Sequence, residues 1–187
     1  DVDIGPDGHM YFCVGGRKGQ SYLYRIRYTG DNSTALSELD TTSEHAKARK
    51  TRHLLESFHG GPSPKAIETA WPFLKSKDYH LRYAARIAIE WQDPKTWADK
   101  AYDESNDLAA MHALLGLARC DHPGSIQPSI NRLLEVDFSK LNKTDKLALL
   151  RTYSVVMSRA GKPNQSQIYA IGNQLDKYFP ANDDNLN

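Results

Sequence analysis

The chain of 187 residues carries 24 Lys plus Arg against 23 Asp plus Glu, a formal net charge of +1, with 40% hydrophobic and 25% charged residues. A chain of this length can bury a core without metals or disulfides, and it lacks the basic excess that usually marks a nucleic-acid binder. No run of about 18 apolar residues is present to span a membrane as a helix.

The amino-terminal part reads as β. Gly5-Pro6-Asp7-Gly8 is a turn cluster. His9-Met10-Tyr11-Phe12-Cys13-Val14 is aromatic and apolar and predicts a strand, and Gly15-Gly16-Arg17-Lys18-Gly19-Gln20 predicts a loop. Beyond it, Leu23, Arg25 and Arg27 alternate with Tyr22, Tyr24, Ile26 and Tyr28, the period of two of a half-buried strand. The expectation is a short β-hairpin within residues 1–30. Two strands alone are marginal in water, so the hairpin must pack on helices or belong to a larger sheet. Residues 31–42 are polar and read as a linker.

From residue 43 the pattern is helical. The first helix is expected over residues 44–58, with Ser43 as N-cap and Gly60-Gly61 as its stop. Ser63-Pro64 predicts the start of a second helix, with Ser at the cap and Pro at the first helical position. Pro72 must kink or shorten that helix. A third helix is expected over residues 79–91. Asp93-Pro94-Lys95 then repeats the Ser63-Pro64-Lys65 start thirty residues later. A short fourth helix follows over residues 95–103 and a fifth over 107–120. Pro123-Gly124 marks a turn before a sixth helix over residues 125–135. Residues 136–142 read as an insertion. A seventh helix spans residues 144–160 and closes at Gly161. Pro163 opens an eighth, which runs to about residue 178 before Pro180 stops it.

Pro64, Pro94, Pro123 and Pro163 thus mark four helix pairs at a spacing of roughly thirty to forty residues, the signature of an α-solenoid. The predicted fold is mainly α: a HEAT/ARM-like α-solenoid of about four helical hairpins over residues 43–187, behind the β-hairpin. In the third helix Arg82, Arg86 and Glu90 form the single polar stripe on an otherwise apolar surface. In the fifth, His112, Gly116 and Arg119 form the corresponding stripe. Helices apolar nearly all round are sandwiched between neighbours, so each stripe is expected to be the exposed ridge of its repeat.

Both halves of the chain resemble a known family. Asp3-Ile4-Gly5-Pro6-Asp7-Gly8-His9-Met10-Tyr11-Phe12, Gly15-Gly16-Arg17 and Leu23-Tyr24-Arg25-Ile26 resemble the final strands of a quinoprotein-type six-bladed β-propeller. The stretch Arg49-Lys50-Thr51-Arg52-His53-Leu54-Leu55-Glu56-Ser57-Phe58-His59-Gly60 resembles part of the helical middle region of large planctomycete and verrucomicrobial membrane-bound dehydrogenase or haem-binding proteins. So do Ala70-Trp71-Pro72-Phe73-Leu74 and Leu81-Arg82-Tyr83-Ala84-Ala85-Arg86-Ile87-Ala88. Those proteins join a glucose/sorbosone-dehydrogenase-like propeller to HEAT repeats and then to a cytochrome c domain. The resemblance implies an exported, extracytoplasmic parent in which this chain is the connector. No active-site residue carries over, since the quinone-holding propeller and a Cys-x-x-Cys-His haem motif both lie outside these residues.

Chemistry within the chain is sparse. There is no Gly-x-Ser-x-Gly nucleophile elbow. The seven histidines (His9, His45, His53, His59, His80, His112 and His122) include no pair at the i, i+3 or i, i+4 spacing of a helical metal site. Asp1, Asp3 and Asp7 hint at calcium ligands, but Gly5 and Phe12 stand where an EF-hand loop needs acids, and a turn is the better reading. Gly15-Gly16-Arg17-Lys18-Gly19 is followed by a strand rather than by the helix a phosphate loop opens. Cys13 and Cys120 are expected as buried free thiols. Lys47, Arg49, Lys50 and Arg52 read as a solvated face. The sharper candidate is an interaction ridge of Arg82, Arg86, His112 and Arg119, with a salt-bridge ladder of Arg82, Arg86 and Glu90 as its plain alternative. The functional expectation is a non-catalytic scaffold or interaction module without a cofactor, its partners being neighbouring domains or another protein. The alternatives are a fragment contributing to a quinone-dependent sugar dehydrogenase site and a HEAT-like nucleic-acid-binding module. The latter is disfavoured by the low net charge.

Overall fold

A computed structural model describes residues 2–16, 18–33 and 41–179. They fall into two compact units, residues 1–39 and 40–187. Part of the predicted linker, the carboxyl terminus with Pro180, and the positions Asp1 and Arg17 lie outside the described residues.

The first unit is a three-stranded antiparallel meander in the order β1 (Val2–Ile4), β2 (Met10–Val14), β3 (Tyr22–Ile26). Ile4 pairs with Met10, and Val14 pairs with Tyr22. The expected hairpin is therefore two of three strands. The short β1 went unseen because three residues are too few for an alternation to register. The Gly5-Pro6-Asp7-Gly8 cluster forms the β1–β2 turn as expected. Gly8 has φ 74°, its N–H donates to Gly5 O at 2.9 Å, and the Asp7 carboxylate accepts from the His9 N–H and the Tyr11 hydroxyl. Asp7 thus serves the turn. Phe12 stacks on Tyr24 at 5.2 Å, yet every residue of β3 is exposed.

The second unit is the predicted solenoid. Its helices are α1 (Glu44–Glu56), α2 (Ala66–Ala70), α3 (Tyr79–Glu90), α4 (Ala98–Tyr102), α5 (Asp107–Arg119), α6 (Ile126–Leu134), α7 (Lys143–Arg159) and α8 (Gln165–Leu175). Helices α1, α3, α5 and α7 lie side by side in one layer. In the other, α4, α6 and α8 follow one another, and α2 with its 3-10 extension Trp71–Lys75 covers α3 and α5. The core between the layers holds Leu55, Leu74, Trp97, Leu114, Leu117, Ile130, Leu133, Leu149 and Val156, all essentially without solvent exposure. Each such large aliphatic side chain contributes roughly 1.5–3 kcal/mol by leaving water. Ala84, Ala85 and Ala88 on α3 and Ala109, Ala110 and Ala113 on α5 are buried too, and their small size lets the helices approach closely.

Local rules explain most ends. Ser43, Asp78, Asn106 and Asn142 each cap a helix by accepting a backbone N–H. Gly60 and Gly161 adopt φ 99° and 122°, the left-handed region where a Cβ would be strained. Three expectations are corrected. The second helix does not start at Ser63-Pro64: it opens at Ala66 without a side-chain cap, and Pro72 turns its continuation into a 3-10 segment. Pro94 likewise sits in a 3-10 turn, Pro94–Thr96, so α4 begins only at Ala98. Pro163 precedes α8 rather than opening it. Asn164 is the N-cap and forms a reciprocal capping box with Gln167.

Buried and half-buried polar side chains tie successive hairpins by satisfying backbone groups at helix ends. Gln92 accepts from the Ser63 N–H at 2.7 Å and donates to Ala88 O at 2.9 Å. Arg132 donates to Glu104 O at 2.8 Å and pairs with Asp107 at 2.8 Å. Gln174 donates to Val136 O and accepts from the Tyr153 hydroxyl, both at 2.8 Å. Both cysteines are free, but Cys13 is exposed, contrary to expectation. Cys120 is half-buried, and burial followed by the charge of Glu90 pushes its thiol up to about 11, which leaves it inert near neutrality. No helix among the described residues is long and apolar enough to cross a membrane.

Candidate functional site

The α1–α3–α5–α7 layer carries a groove of about 320 Å³ across its last three helices. Tyr79, Tyr83 and Arg86 line it from α3. Leu108, His112 and Leu115 line it from α5, and Thr144, Ala148 and Arg151 from α7. On each helix these residues stand at i, i+4 and i+7, the spacing of one helical face. The α5 set follows the α3 set by 29 residues (83 to 112), and the α7 set follows by 36 (112 to 148). The difference of seven equals residues 136–142, the stretch that reads as an insertion and holds the 3-10 turn Phe138–Lys140. The groove is therefore one structural position repeated three times.

Its walls are apolar and partly open. Tyr79 and Tyr83 stack at 6.2 Å and are 61% and 48% exposed, and Leu147 on the opposite side is 52% exposed. Its floor is cationic. Arg82 and Arg86 are each only 8% exposed, with their guanidinium groups near the Tyr79 and Tyr83 rings. Arg82 donates to Ser76 O at 2.5 Å and Lys77 O at 3.0 Å, carbonyls left over where the 3-10 segment ends. Arg86 pairs with Glu90, which also takes Arg119 at 3.0 Å. His112 has a buried Nδ1 without a hydrogen-bond partner. Burial first, then the charges of Arg82 and Arg86, push its pKa down to about 4, so the ring is neutral at pH 7. Arg151 is exposed at the rim. The one carboxylate lining the groove, Asp145, accepts from the Asn142 side chain at 2.7 Å.

Of the predicted ridge, Arg82, Arg86 and His112 come together in the groove. Arg119 stands apart, over Glu90 and beside Trp91 and Cys120. Nor is the stripe an exposed ridge. Arg82, Arg86 and Gly116 are buried, and a Cβ on Gly116 would lie 3.5 Å from the Arg86 Cγ and 3.4 Å from the Glu90 Cγ. The stripes of α3 and α5 face each other as a polar seam, because arginine stems cover apolar surface while their heads find partners. The expected ladder survives as Arg86–Glu90–Arg119, with Arg82 turned to backbone carbonyls instead.

Reading the sequence by polar residues missed Tyr79, Tyr83, Leu108, Leu115 and the whole α7 wall. The repeated four-then-three spacing was the available signal, hidden by the seven-residue insertion. A second cleft, beside α2 and α4, is self-satisfied: Lys100 covers the Trp71 ring at 4.6 Å and the indole N–H donates to Glu104 at 2.7 Å. Among the described residues no cluster of three or more His, Cys, Asp or Glu could hold a metal ion. Comparison with family models, curated proteins and solved structures finds no match for this chain.

Proposed function

We propose that this chain is a non-catalytic helical-repeat module that holds neighbouring domains together. It would connect a β-propeller dehydrogenase domain to a cytochrome c domain in an exported protein. The helical-repeat architecture supports the general role, since stacked hairpins offer long surfaces for partners.

The observation that carries the connection is the meander. Val2, Ile4, Met10, Val14, Tyr22, Leu23, Tyr24 and Ile26 are all between 40% and 68% exposed. Seven of them share one pleat face, since Val2 and Phe12 are level with Tyr24, Ile4 and Met10 with Ile26, and Val14 with Tyr22, while Leu23 alone lies on the other. A three-stranded sheet with a bare apolar face and free edges is unstable and sticky in water. Such a face calls for a covering layer, and a neighbouring blade of a propeller would supply one.

Hydrogen exchange tests this reading. In the isolated chain the amides of β3 should exchange within seconds to minutes, while those of α5 and α7 are protected. In the longer parent protein the β3 amides should join the protected set. Fast exchange of β3 in both would remove the basis for the connection. Titrating the chain with pyrroloquinoline quinone and calcium should give no dye reduction. Turnover in that assay would favour the rival in which this chain completes a dehydrogenase site.

A further inference from the structure

We propose that the groove between α3, α5 and α7 docks a segment of a partner protein that places an apolar side chain beside a carboxylate. The inference rests on the interaction-module reading but not on its connection to a propeller.

The walls set the apolar half of the requirement. Tyr79, Tyr83, Leu108, Leu115 and Leu147 surround a space at the lower end of the roughly 300–1,000 Å³ typical of ligand cavities. That is room for an anchor residue or two rather than for a large cofactor. Exposed Tyr79, Tyr83 and Leu147 above half-buried Leu108 and Leu115 make the aromatic and apolar lining of an anchor pocket.

The charges set the other half. Arg82 and Arg86 approach from α3 and Arg151 from α7, with the neutral His112 on α5. Against them stand Asp145, held by Asn142, and Glu90, shared between Arg86 and Arg119. Arg82 meets only neutral carbonyls, so its charge is uncompensated, and its Nε has no partner. Arg151 shows no ion pair among the described residues and is exposed at the rim. Burial first, and the charges of Arg82 and Arg86 second, hold His112 neutral beside them. A carboxylate beside Arg151 and over His112 would be attracted, and a cationic segment repelled. A polyphosphate backbone fits less well, since nucleic acid needs several free cations in a row and the floor arginines are already engaged.

Selection of a random dodecapeptide library displayed on phage against the purified chain tests the proposal. The expected consensus has Leu, Phe or Ile next to Asp or Glu. A synthetic consensus peptide should shift amide resonances of Leu115, Ala148 and Arg151. Two exposed-site variants, Arg151→Glu and Leu147→Asp, should each weaken it tenfold or more while keeping the wild-type melting temperature within a few degrees. No enrichment, a basic consensus, or a consensus indifferent to both variants overturns the proposal. So does a steeply salt-dependent complex with oligo-dT that Arg151→Glu abolishes, which would make the groove a nucleic-acid site. Protection of β3 in the parent protein together with a failed selection would discard the groove and leave the module reading standing.

Discussion

His112 makes the groove's electrostatics measurable without any ligand. Its imidazole lies on α5 against Arg82 and Arg86 from α3, with Glu90 beyond them and with Asp145 and Arg151 on α7 across the groove. Its pKa falls from 6.5 to about 4, by burial first and the two arginines second. A histidine whose folded pKa is depressed refuses a proton that the unfolded chain accepts. Stability is therefore unaffected above pH 6.5 and declines as the pH falls from there towards 4. The decline follows about 1.4 kcal/mol per pH unit. At pH 4.5 the loss is about 2.5 kcal/mol, and below pH 4 it stops growing. Carboxylates also titrate near the lower end, so the comparison is made with His112→Leu. That variant keeps an apolar filler and removes the unpartnered Nδ1, so it should match the wild type at pH 7 within about 1 kcal/mol or exceed it. Urea unfolding of both proteins at pH 7 and 4.5 should show the wild type losing about 2 kcal/mol more than the variant. The His112 Hε1 resonance should titrate near pH 4. A midpoint at or above 6.5, or equal losses in the two proteins, would refute the claim that the groove floor is dry and positive.

Two further outcomes check the repeat. Gly116→Ala should stabilise the chain by about 0.5–1 kcal/mol, because a mid-helix glycine costs backbone entropy and the added Cβ meets only flexible side-chain atoms at ordinary contact distance. That is a rise of about 1–4 °C in thermal melting, whereas a fall would show that the Arg86–Glu90 seam cannot yield. Asn164→Ala breaks the capping box of α8 and should cost about 1 kcal/mol. In hydrogen exchange the loss should fall on α8 and spare α3. Uniform loss across the helices would mean that the array unfolds as one unit.

Much of the fold was legible in the amino-acid order. Hydrophobic periodicity, caps such as Ser43 and terminators such as Gly60 and Gly161 act through neighbours a few residues away, so a linear reading finds them. The repeat of proline-marked hairpins followed from the same local rules, and so did the turn at Gly5-Pro6-Asp7-Gly8. Where those rules were over-applied the errors were also local. Proline suits a first helical turn, yet at positions 64, 94 and 163 the chain used it in turns ahead of the helix.

Burial of charge was not legible in that way. A stripe of Arg82, Arg86 and Glu90 looks wet in sequence, because arginine and glutamate prefer water and nothing along the chain shows what faces them. Only stacking brought Gly116 against that stripe and stranded His112 beside two guanidinium groups. The groove likewise exists only once seven extra residues have been looped out and three distant helices brought level. Sequence determined which segments are helices and which sides are oily. Tertiary structure alone decided which polar groups lose their water, since desolvation depends on neighbours that meet across 29 and 36 residues of chain.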